Sequence, residues 1–370
     1  MYSKYSISGI ALEWFRSCLT NCSQFALIEG CRSCGVPQGS VLGPILYVLY
    51  TALLADILRF HEMQFHFYAD EIHLYISFST NKDVELTNSI TKIEECLSDI
   101  DKSMSINRLN LYKDKAELLY LFSKYSPQQS LPPLRFGTDI IKPFPQARNI
   151  GAIFDTTMSM LPHVNNACKS AFYYLRTISH IRKYLSTQTT EILIHTFVTS
   201  KLNHRNSLLY NVPKNVIKKL QSVQNAAARL ITRSRKCNHI TPILLDLHWL
   251  PVSERSKVKI LLLTFKALHK QSPTYIQDLI TRYLPSRSLR SSCTLSLNLV
   301  SFNLKTYGSR AISVSALELW NKLPDDIRSC ENLSLFKHKL KTYLFKNFYF
   351  SHKEDVFDVI CFIEIYIYVF

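Results

Sequence analysis

The sequence predicts an α+β fold in which short antiparallel strands and helices form the first part of the chain and helices form most of the remainder. After Pro44, apolar residues recur at the spacing of a helix. The stretch "FHFYADEIHLY" (65–75) alternates apolar and polar residues on both sides of a turn, as two paired strands would. From His163 onward, the apolar spacing becomes helical again and short polar turns separate the segments, which indicates a helical bundle.

Further elements are expected along the chain. Residues 123–148, rich in Pro, Ser and Gln, are predicted to form a loop with a short central hairpin. The other predicted elements are a helix around Ile10–Leu19, a strand around Phe25–Ile28, a helix over 44–60, the hairpin over 65–76, a helix over Asp83–Met104, strands near Ala116–Phe122 and Ile150–Phe154, and helices over His163–Ile181, Ile192–Leu202, Val216–Ile231, Ser256–Lys270 and Leu335–Phe345.

Two features of the first eighty residues suggest chemistry. Gly35, Gly39 and Gly43 are three of only eight glycines in 370 residues, which indicates close backbone approach to another group. Asp70 and Glu71 fall at the turn of the predicted hairpin, and adjacent carboxylates suit Mg²⁺, which prefers oxygen ligands and leaves positions open for substrate phosphates. Taken alone, the two acids also fit an ordinary polar turn.

The composition is that of a globular chain, 47% hydrophobic, with a formal net charge of +16. Residues 201–290 hold 17 Lys and Arg against three acids, and so carry most of that charge. Such a segment favours a nucleic-acid-facing surface, because each neutralised phosphate releases condensed counterions. A solvated basic surface and a membrane-facing surface remain alternatives.

The cysteines and the absence of a signal-peptide pattern predict a reducing, intracellular location, nuclear or cytoplasmic, for a protein that is not secreted. Cys18, Cys22, Cys31 and Cys34 have a spacing that could be imagined as a zinc site, and Cys237 with His239 lacks further ligands. The apolar end of the chain, 356–370, is short for a membrane helix and contains two acids, so no membrane span is predicted there.

The motifs "GVPQGSVLGP" (35–44) and "YADE" (68–71) resemble the reverse transcriptases of non-LTR (LINE-type) retrotransposons, most closely the CR1/L2-like branch. The similarity covers roughly residues 5–348. It continues in "NRLNLYKDKAELL" (107–119), "NIGAIFD" (149–155), "SKLNHRNSLLY" (200–210), "LQSVQNAAARLI" (220–231), "LDLHWLPVSER" (245–255) and "YGSRAISVSALELWNKLP" (307–324).

The resemblance implies a partial polymerase palm over 1–158, a helical thumb over 159–236, a mainly helical C-terminal region over 237–348 and an unrelated apolar tail over 349–370. It also implies an RNA template, a DNA primer duplex and dNTP as partners, with Mg²⁺ or Mn²⁺ as cofactor. Asp70 and Glu71 correspond to the metal-binding acids, although the family has a second aspartate where Glu71 stands.

The resemblance assigns roles to further residues. Lys115 matches a lysine that neutralises the departing pyrophosphate, although a solvated lysine is an equally good interpretation. The other implied sets are Gly35, Pro37, Gln38, Gly39 and Ser40 for nucleotide and template, and Gly151 and Ile153 for the primer end. From their charge, Lys218, Lys219, Arg229, Arg233 and Arg235 are predicted to bind nucleic acid.

Departures from the family pattern suggest a fragment that is inactive alone. The family carries its first catalytic acid before the glycine-rich motif, whereas the first Asp of this sequence is Asp56 and only Glu13 and Glu29 precede it. Asn203, His204 and Arg205 stand where the family usually reads Asp-Tyr-Cys. Three functions therefore stay open: a polymerase by descent, a non-catalytic nucleic-acid-binding module, and a relic without function.

Overall fold

The structure is a computed structural model of the chain. It describes residues 8–19, 23–25, 32–34, 43–78, 83–107, 109, 111–123, 131–283, 296–298, 300–302 and 305–350. The contacts divide the chain into two compact units, one of Met1–Tyr120 with Tyr125–Pro145 and the other of Leu121–Lys124 with Gln146–Phe370. The domain boundaries expected at 158, 236 and 348 stay predictions.

The first unit combines helices with two-stranded antiparallel sheets, as the predicted α+β class requires. Its strands pair as hairpins, β1 with β2, β3 with β4 and β5 with β6. The elements are α1 (Ile10–Leu19), β1 (Ser23–Phe25), β2 (Arg32–Cys34), α2 (Gly43–Phe60), β3 (Gln64–Tyr68), β4 (Glu71–Tyr75), α3 (Asp83–Ile106), β5 (Leu134–Phe136) and β6 (Asp139–Ile141).

The main core of the first unit lies among α2, α3 and the β3–β4 hairpin. Leu54 and Leu58 of α2 are buried against Cys96 and Ile100 of α3, with Met63 closing the turn between α2 and β3. One side of the hairpin, with Phe65, Ile72, Leu74 and Ile76, packs on this core. The alternation of apolar and polar residues in the sequence thus becomes a buried and an exposed side.

By length and composition alone, α2 is the helix in the described part of the chain that could cross a membrane. This is weak evidence, because the core helix of a soluble protein passes the same test. Leu54, Leu58 and Ala55 of α2 are buried within the unit, whereas Val48 and Phe60 are exposed.

The second unit begins with a hairpin, β7 (Gln146–Asn149) and β8 (Ala152–Asp155), and continues as helices. One core, from Met160 to Val252, holds α4, α5 and α7, and a second, from Ile260 to Leu344, holds α9, α12 and α14. The helices are α4 (Leu161–Ile181), α5 (Thr187–Ile194), α6 (Ser200–Asn203), α7 (Lys214–Thr232), α8 (Ile240–Asp246), α9 (Val252–Leu268), α10 (Thr274–Gln277), α11 (Lys305–Gly308), α12 (Ile312–Asn321), α13 (Asp325–Arg328) and α14 (Leu333–Phe350).

Two expectations about local structure need correction. The strand expected near Ala116–Phe122 is wrong, since Leu118 forms only an isolated bridge with Pro143, and a proline has no backbone N–H with which to extend a ladder. The helix expected over Ile192–Leu202 is interrupted by a π-helical turn, His195–Thr199, between α5 and α6.

Candidate functional site

The predicted acids lie at the tip of the β3–β4 hairpin. Tyr68 and Glu71 form the last pair of the ladder, and Ala69 and Asp70 make the two-residue turn between them. Ala69 has a left-handed backbone conformation, with φ of 52°, as tight hairpin turns require. Asp70 and Glu71 are both exposed, so their carboxylates are accessible to solvent and to a ligand.

The hairpin has a polar side that carries Glu71. His66 pairs directly with His73 across the strands, and the two-residue period places Glu71 and His73 on the same side. Nε2 of His73 lies 3.5 Å from Oε2 of Glu71, close enough for an ionic contact when the imidazole is protonated. Sequence reasoning missed His73 as a neighbour of Glu71, although the strand alternation contained that signal.

The tip of the hairpin lies near the first turns of α2, as predicted. Burial raises the pKa of the Tyr47 phenol, and the charge of Asp70 raises this pKa further. Tyr47 stands four residues after Gly43, where α2 begins. Asp70 therefore lies close enough to the beginning of α2 for its charge to act on Tyr47.

The glycine-rich residues themselves, Gly35, Pro37, Gln38, Gly39 and Ser40, lie outside the described residues. Cys22 and Cys31, two of the four cysteines considered as a zinc site, also lie outside the described residues, as do the side chains of Cys18 and Cys34. Their predicted roles stay predictions.

Lys115 lies in the first unit, on a short 3₁₀ turn, Lys113–Lys115. Its side chain is exposed, and its ammonium group lies 4.8 Å from the centre of the Tyr112 ring. The neighbouring Lys113 is instead held by Asp101, at 2.8 Å, and lies over Phe136. Of the two lysines, Lys115 is thus the one without an ion pair in the described residues.

The donor set at the hairpin tip fits a hard divalent cation in part. Two exposed carboxylates offer the oxygen ligands that Mg²⁺ prefers, and this ion keeps several waters and substrate oxygens in its remaining positions. Among the described residues, no group of three or more His, Cys, Asp and Glu side chains is placed to hold a metal ion. A complete two-metal site would therefore need a further acid beside Asp70 and Glu71.

The two residues predicted to steady the primer end lie in the second unit, at the β7–β8 hairpin. Ile150 and Gly151 form its turn, with φ of 42° and 78°, and Ile153 follows in β8. The backbone N–H of Ile153 donates to Nδ1 of the buried His163 at 3.4 Å. The guanidinium of Arg205 donates to the carbonyl of Asn149 at 3.0 Å, which ties the segment after α6 to this turn.

The five predicted nucleic-acid-binding residues do not form one patch. Lys218 lies near the beginning of α7 and Arg229 near its end, about 16 Å apart along the axis. Lys219 donates to Asn165 of α4 at 2.7 Å, whereas Arg229 donates to the carbonyl of Asn238 at 3.2 Å. The predicted basic surface thus consists of two groups, one towards each end of α7, with Arg233 and Arg235 in the second group.

Arg182, which sequence reasoning missed, holds the end of α7 at which the second group lies. Arg182 is 6% exposed, and its guanidinium donates to the carbonyls of Leu230, Ile231 and Leu185 at 2.9, 2.8 and 2.8 Å. The carbonyls of Leu230 and Ile231 belong to the last turn of α7, where backbone carbonyls have no partner within the helix. Burial, together with the charge of Arg233, lowers the pKa of Arg182.

Part of the chain matches a model of a known protein family. Residues 2–131 match the family model described as reverse transcriptase (RNA-dependent DNA polymerase). This range contains the glycine-rich motif, α2, the acid-tipped hairpin and Lys115. Searches of curated proteins and of solved structures found no match.

Proposed function

We propose that this chain carries part of the active site of an RNA-directed DNA polymerase of a non-LTR, CR1/L2-like retrotransposon and is inactive alone. The observation that carries the proposal is a tight hairpin with two exposed acids at its tip. This hairpin packs against α2 and lies within the range that matches the reverse transcriptase model. Such a hairpin presents its carboxylates on a rigid support, which phosphoryl transfer requires because catalysis there depends on positioning and charge.

Asp70 and Glu71 would hold Mg²⁺ or Mn²⁺, which supplies charge stabilisation for the attacking and leaving oxygens of nucleotide transfer. Lys115 would neutralise negative charge on the departing pyrophosphate, and its exposed ammonium group is accessible for that task. Glu71 has one methylene more than the aspartate of the family, and His73 lies beside its carboxylate. A displacement of about 1 Å can reduce a rate about a hundredfold.

The proposal includes a third acid from outside residues 1–370. The reverse transcriptases that the chain resembles carry this acid before the glycine-rich motif, whereas the first Asp of this sequence, Asp56, lies after it, in the fourth turn of α2. A preceding segment or another chain would provide it. The experiment is therefore complementation: the chain is joined to an upstream palm segment that carries an aspartate, taken from an intact relative. Primer extension on an RNA template should then depend on Mg²⁺ or Mn²⁺.

Asp70→Asn should abolish that extension. The matched control is Asp139→Asn, because Asp139 is an exposed acid that begins the second strand of another hairpin, β5–β6, in the same unit. This control should retain extension. Activity that survives Asp70→Asn, or that Asp139→Asn removes equally, would contradict the assignment of the site.

A second candidate function is nucleic-acid binding without catalysis, and the distribution of acids favours it. Residues 156–245, which include α4 to α7, contain one acidic residue, Glu191. A surface with so few acids suits a phosphate backbone. Failure of the complemented chain to extend a primer, with retained binding of the duplex, would favour this function over the first.

A further inference from the structure

The β7–β8 turn lies beside a cationic segment of the second unit. Lys201 lies in α6, and His204 and Arg205 follow directly after that helix. We call these three residues the turn cluster. They belong to the segment where this sequence departs from the reverse transcriptases it resembles.

Two nitrogens of the turn cluster converge on Gly151. A Cβ built at Gly151 would lie 3.7 Å from Nη2 of Arg205 and 3.7 Å from Nε2 of His204. Nη2 of Arg205 and Nε2 of His204 are therefore separated by at most twice 3.7 Å. Gly151 has no side chain to occupy the space between them, and its φ of 78° disfavours any residue that would.

The structure holds Arg205 in this position. Its backbone has a φ of 55°, and Nη1 donates to the carbonyl of Asn149 at 3.0 Å, so the plane of the guanidinium is fixed against the turn. Nη2 of the same planar fork is the nitrogen that faces Gly151. Within the described part of the chain, the imidazole of His204 makes no hydrogen bond or ion pair, so its N–H remains available as a donor.

The surroundings of the turn cluster are electropositive. Burial lowers the pKa of His204, and the charges of Arg205 and Lys201 lower this pKa further. Burial likewise lowers the pKa of His163, with added effects from His204 and Arg205. All the charges that act on these two imidazoles are positive, and the sequence contains no acid between residues 192 and 245.

We propose that His204 and Arg205 bind one phosphate of a nucleic-acid backbone beside Gly151, with Lys201 of α6 adding positive charge beside them. Phosphate oxygens accept hydrogen bonds of about 2.7–2.9 Å from cationic donors, and a single phosphate fits between two donors that converge on one point. An arginine fork and a backbone free of side chains are typical of phosphate contacts, which position a nucleic acid without reading its bases. This inference rests on the proposed nucleic-acid binding and assigns three residues to it.

The alternative explanation for the turn cluster is stabilisation of the helix that ends at Asn203, because cations favour the carbonyl end of a helix. That role predicts that neutral variants lose thermal stability and keep their affinity for nucleic acid. The proposed role predicts lost affinity. The two explanations are therefore separable by measuring both quantities on each variant.

The test is binding of a fluorescent RNA–DNA duplex to the purified full chain over a range of salt concentrations. Lys201→Gln and Arg205→Gln should each weaken binding, and the double variant should lower the slope of log affinity against log salt by about 1, the share of one phosphate contact. His204→Arg should tighten binding, because it adds a permanent charge at the same place. The control is Arg176→Gln, an exposed arginine of α4 outside the turn cluster, which should change the slope less.

A methylphosphonate scan, in which each backbone phosphate is made neutral in turn, locates the contact. Neutralising one particular phosphate should cost the wild-type chain more affinity than it costs Arg205→Gln, since that variant has already lost part of the contact. Inorganic phosphate at matched ionic strength, and anionic vesicles, should compete poorly with the duplex. Equal competition by either would overturn the assignment to a nucleic-acid backbone.

The outcomes separate this inference from the proposed function. If the wild-type chain binds the duplex and the variants of the turn cluster keep its slope, this inference alone is wrong. If those variants lose affinity only as far as they lose thermal stability, or if His204→Arg binds no tighter, it is also overturned. If the wild-type chain fails to bind any duplex at low salt, the proposed nucleic-acid binding is wrong and this inference is wrong with it.

Discussion

At the scale of single residues, His163 links the fold of the second unit to pH. It is 6% exposed, and its Nδ1 accepts a hydrogen bond from the backbone of Ile153. Burial and the charges of His204 and Arg205 lower its pKa in the folded chain. A proton on Nδ1 would also remove the acceptor that Ile153 uses.

The sign of the pH effect follows from that direction. Above the ordinary value of 6.5 the imidazole is neutral in both states, so it does not affect stability there. As the pH falls below that value, the unfolded chain takes up a proton more readily than the folded chain does, so the free energy of unfolding decreases.

We therefore expect urea unfolding of the second unit to require less denaturant at pH 5 than at pH 7. His163→Asn should reduce this difference, because the amide oxygen can replace Nδ1 as an acceptor and does not titrate. His180→Asn, at an exposed position of α4, is the control and should leave the difference unchanged. A pH dependence that His163→Asn does not alter would contradict the assignment.

At the scale of elements, the end of α7 depends on one buried side chain. Arg182 donates to three carbonyls, and its replacement by alanine leaves them without those partners. A buried polar group left unsatisfied costs about 1–3 kcal/mol. We expect Arg182→Ala to lower the free energy of unfolding by roughly 3 kcal/mol or more. Lys183→Ala, at the adjacent exposed position, should have little effect in the same urea titration.

The position of the hairpin on α2 gives a second prediction at this scale. Leu58 is fully buried in the core that joins α2, α3 and the hairpin, whereas Leu53 of the same helix is half exposed. Leu58→Ala should destabilise the first unit by about 2–5 kcal/mol. Amide exchange in β3 and β4 should accelerate in that variant and much less in Leu53→Ala. Equal acceleration would show that the hairpin does not depend on this core.

The elements also show what the sequence could and could not predict. The spacing of apolar residues predicted α2, the acid-tipped hairpin and α7 to within a few residues, because each buries one side against its own unit. It missed the π turn at His195–Thr199 and the loss of the strand near Leu118, since both depend on hydrogen bonds between distant or shifted partners. The position of Arg205 beside Gly151 had no local signal, because the two residues are 54 positions apart.

At the scale of the whole molecule, the charge distribution determines how the chain should bind nucleic acid. Neutralising Lys218, Lys219, Arg229, Arg233 and Arg235 together should flatten the salt dependence of duplex binding. Because these residues lie in two groups along α7, the lysine pair and the arginine trio should each account for part of the change. The lysine pair is the cleaner test, since Arg229 and Arg233 also donate to backbone carbonyls. An unchanged slope would show that the charge that binds nucleic acid lies elsewhere, or that the charge of these five residues serves only solubility.

The last prediction concerns catalysis by the chain without any added segment. We expect no template-directed nucleotide addition by residues 1–370, and we expect that Glu71→Asp alone will not restore it. Shortening Glu71 corrects the position of one carboxylate, but the described residues place only two acids at the hairpin tip and no third acid beside them.

The reason lies in the cooperation of catalytic groups. A two-metal site clamps the attacking and the leaving oxygen together, so the loss of one bridging acid removes most of the benefit that the others provide. Effects of such residues are not additive, and repairing one member while another is missing restores little. Primer extension by the unmodified chain, abolished by Asp70→Asn and retained in Asp139→Asn, would contradict this prediction. Glu13, Glu29 or a second subunit would then have to provide the missing ligand.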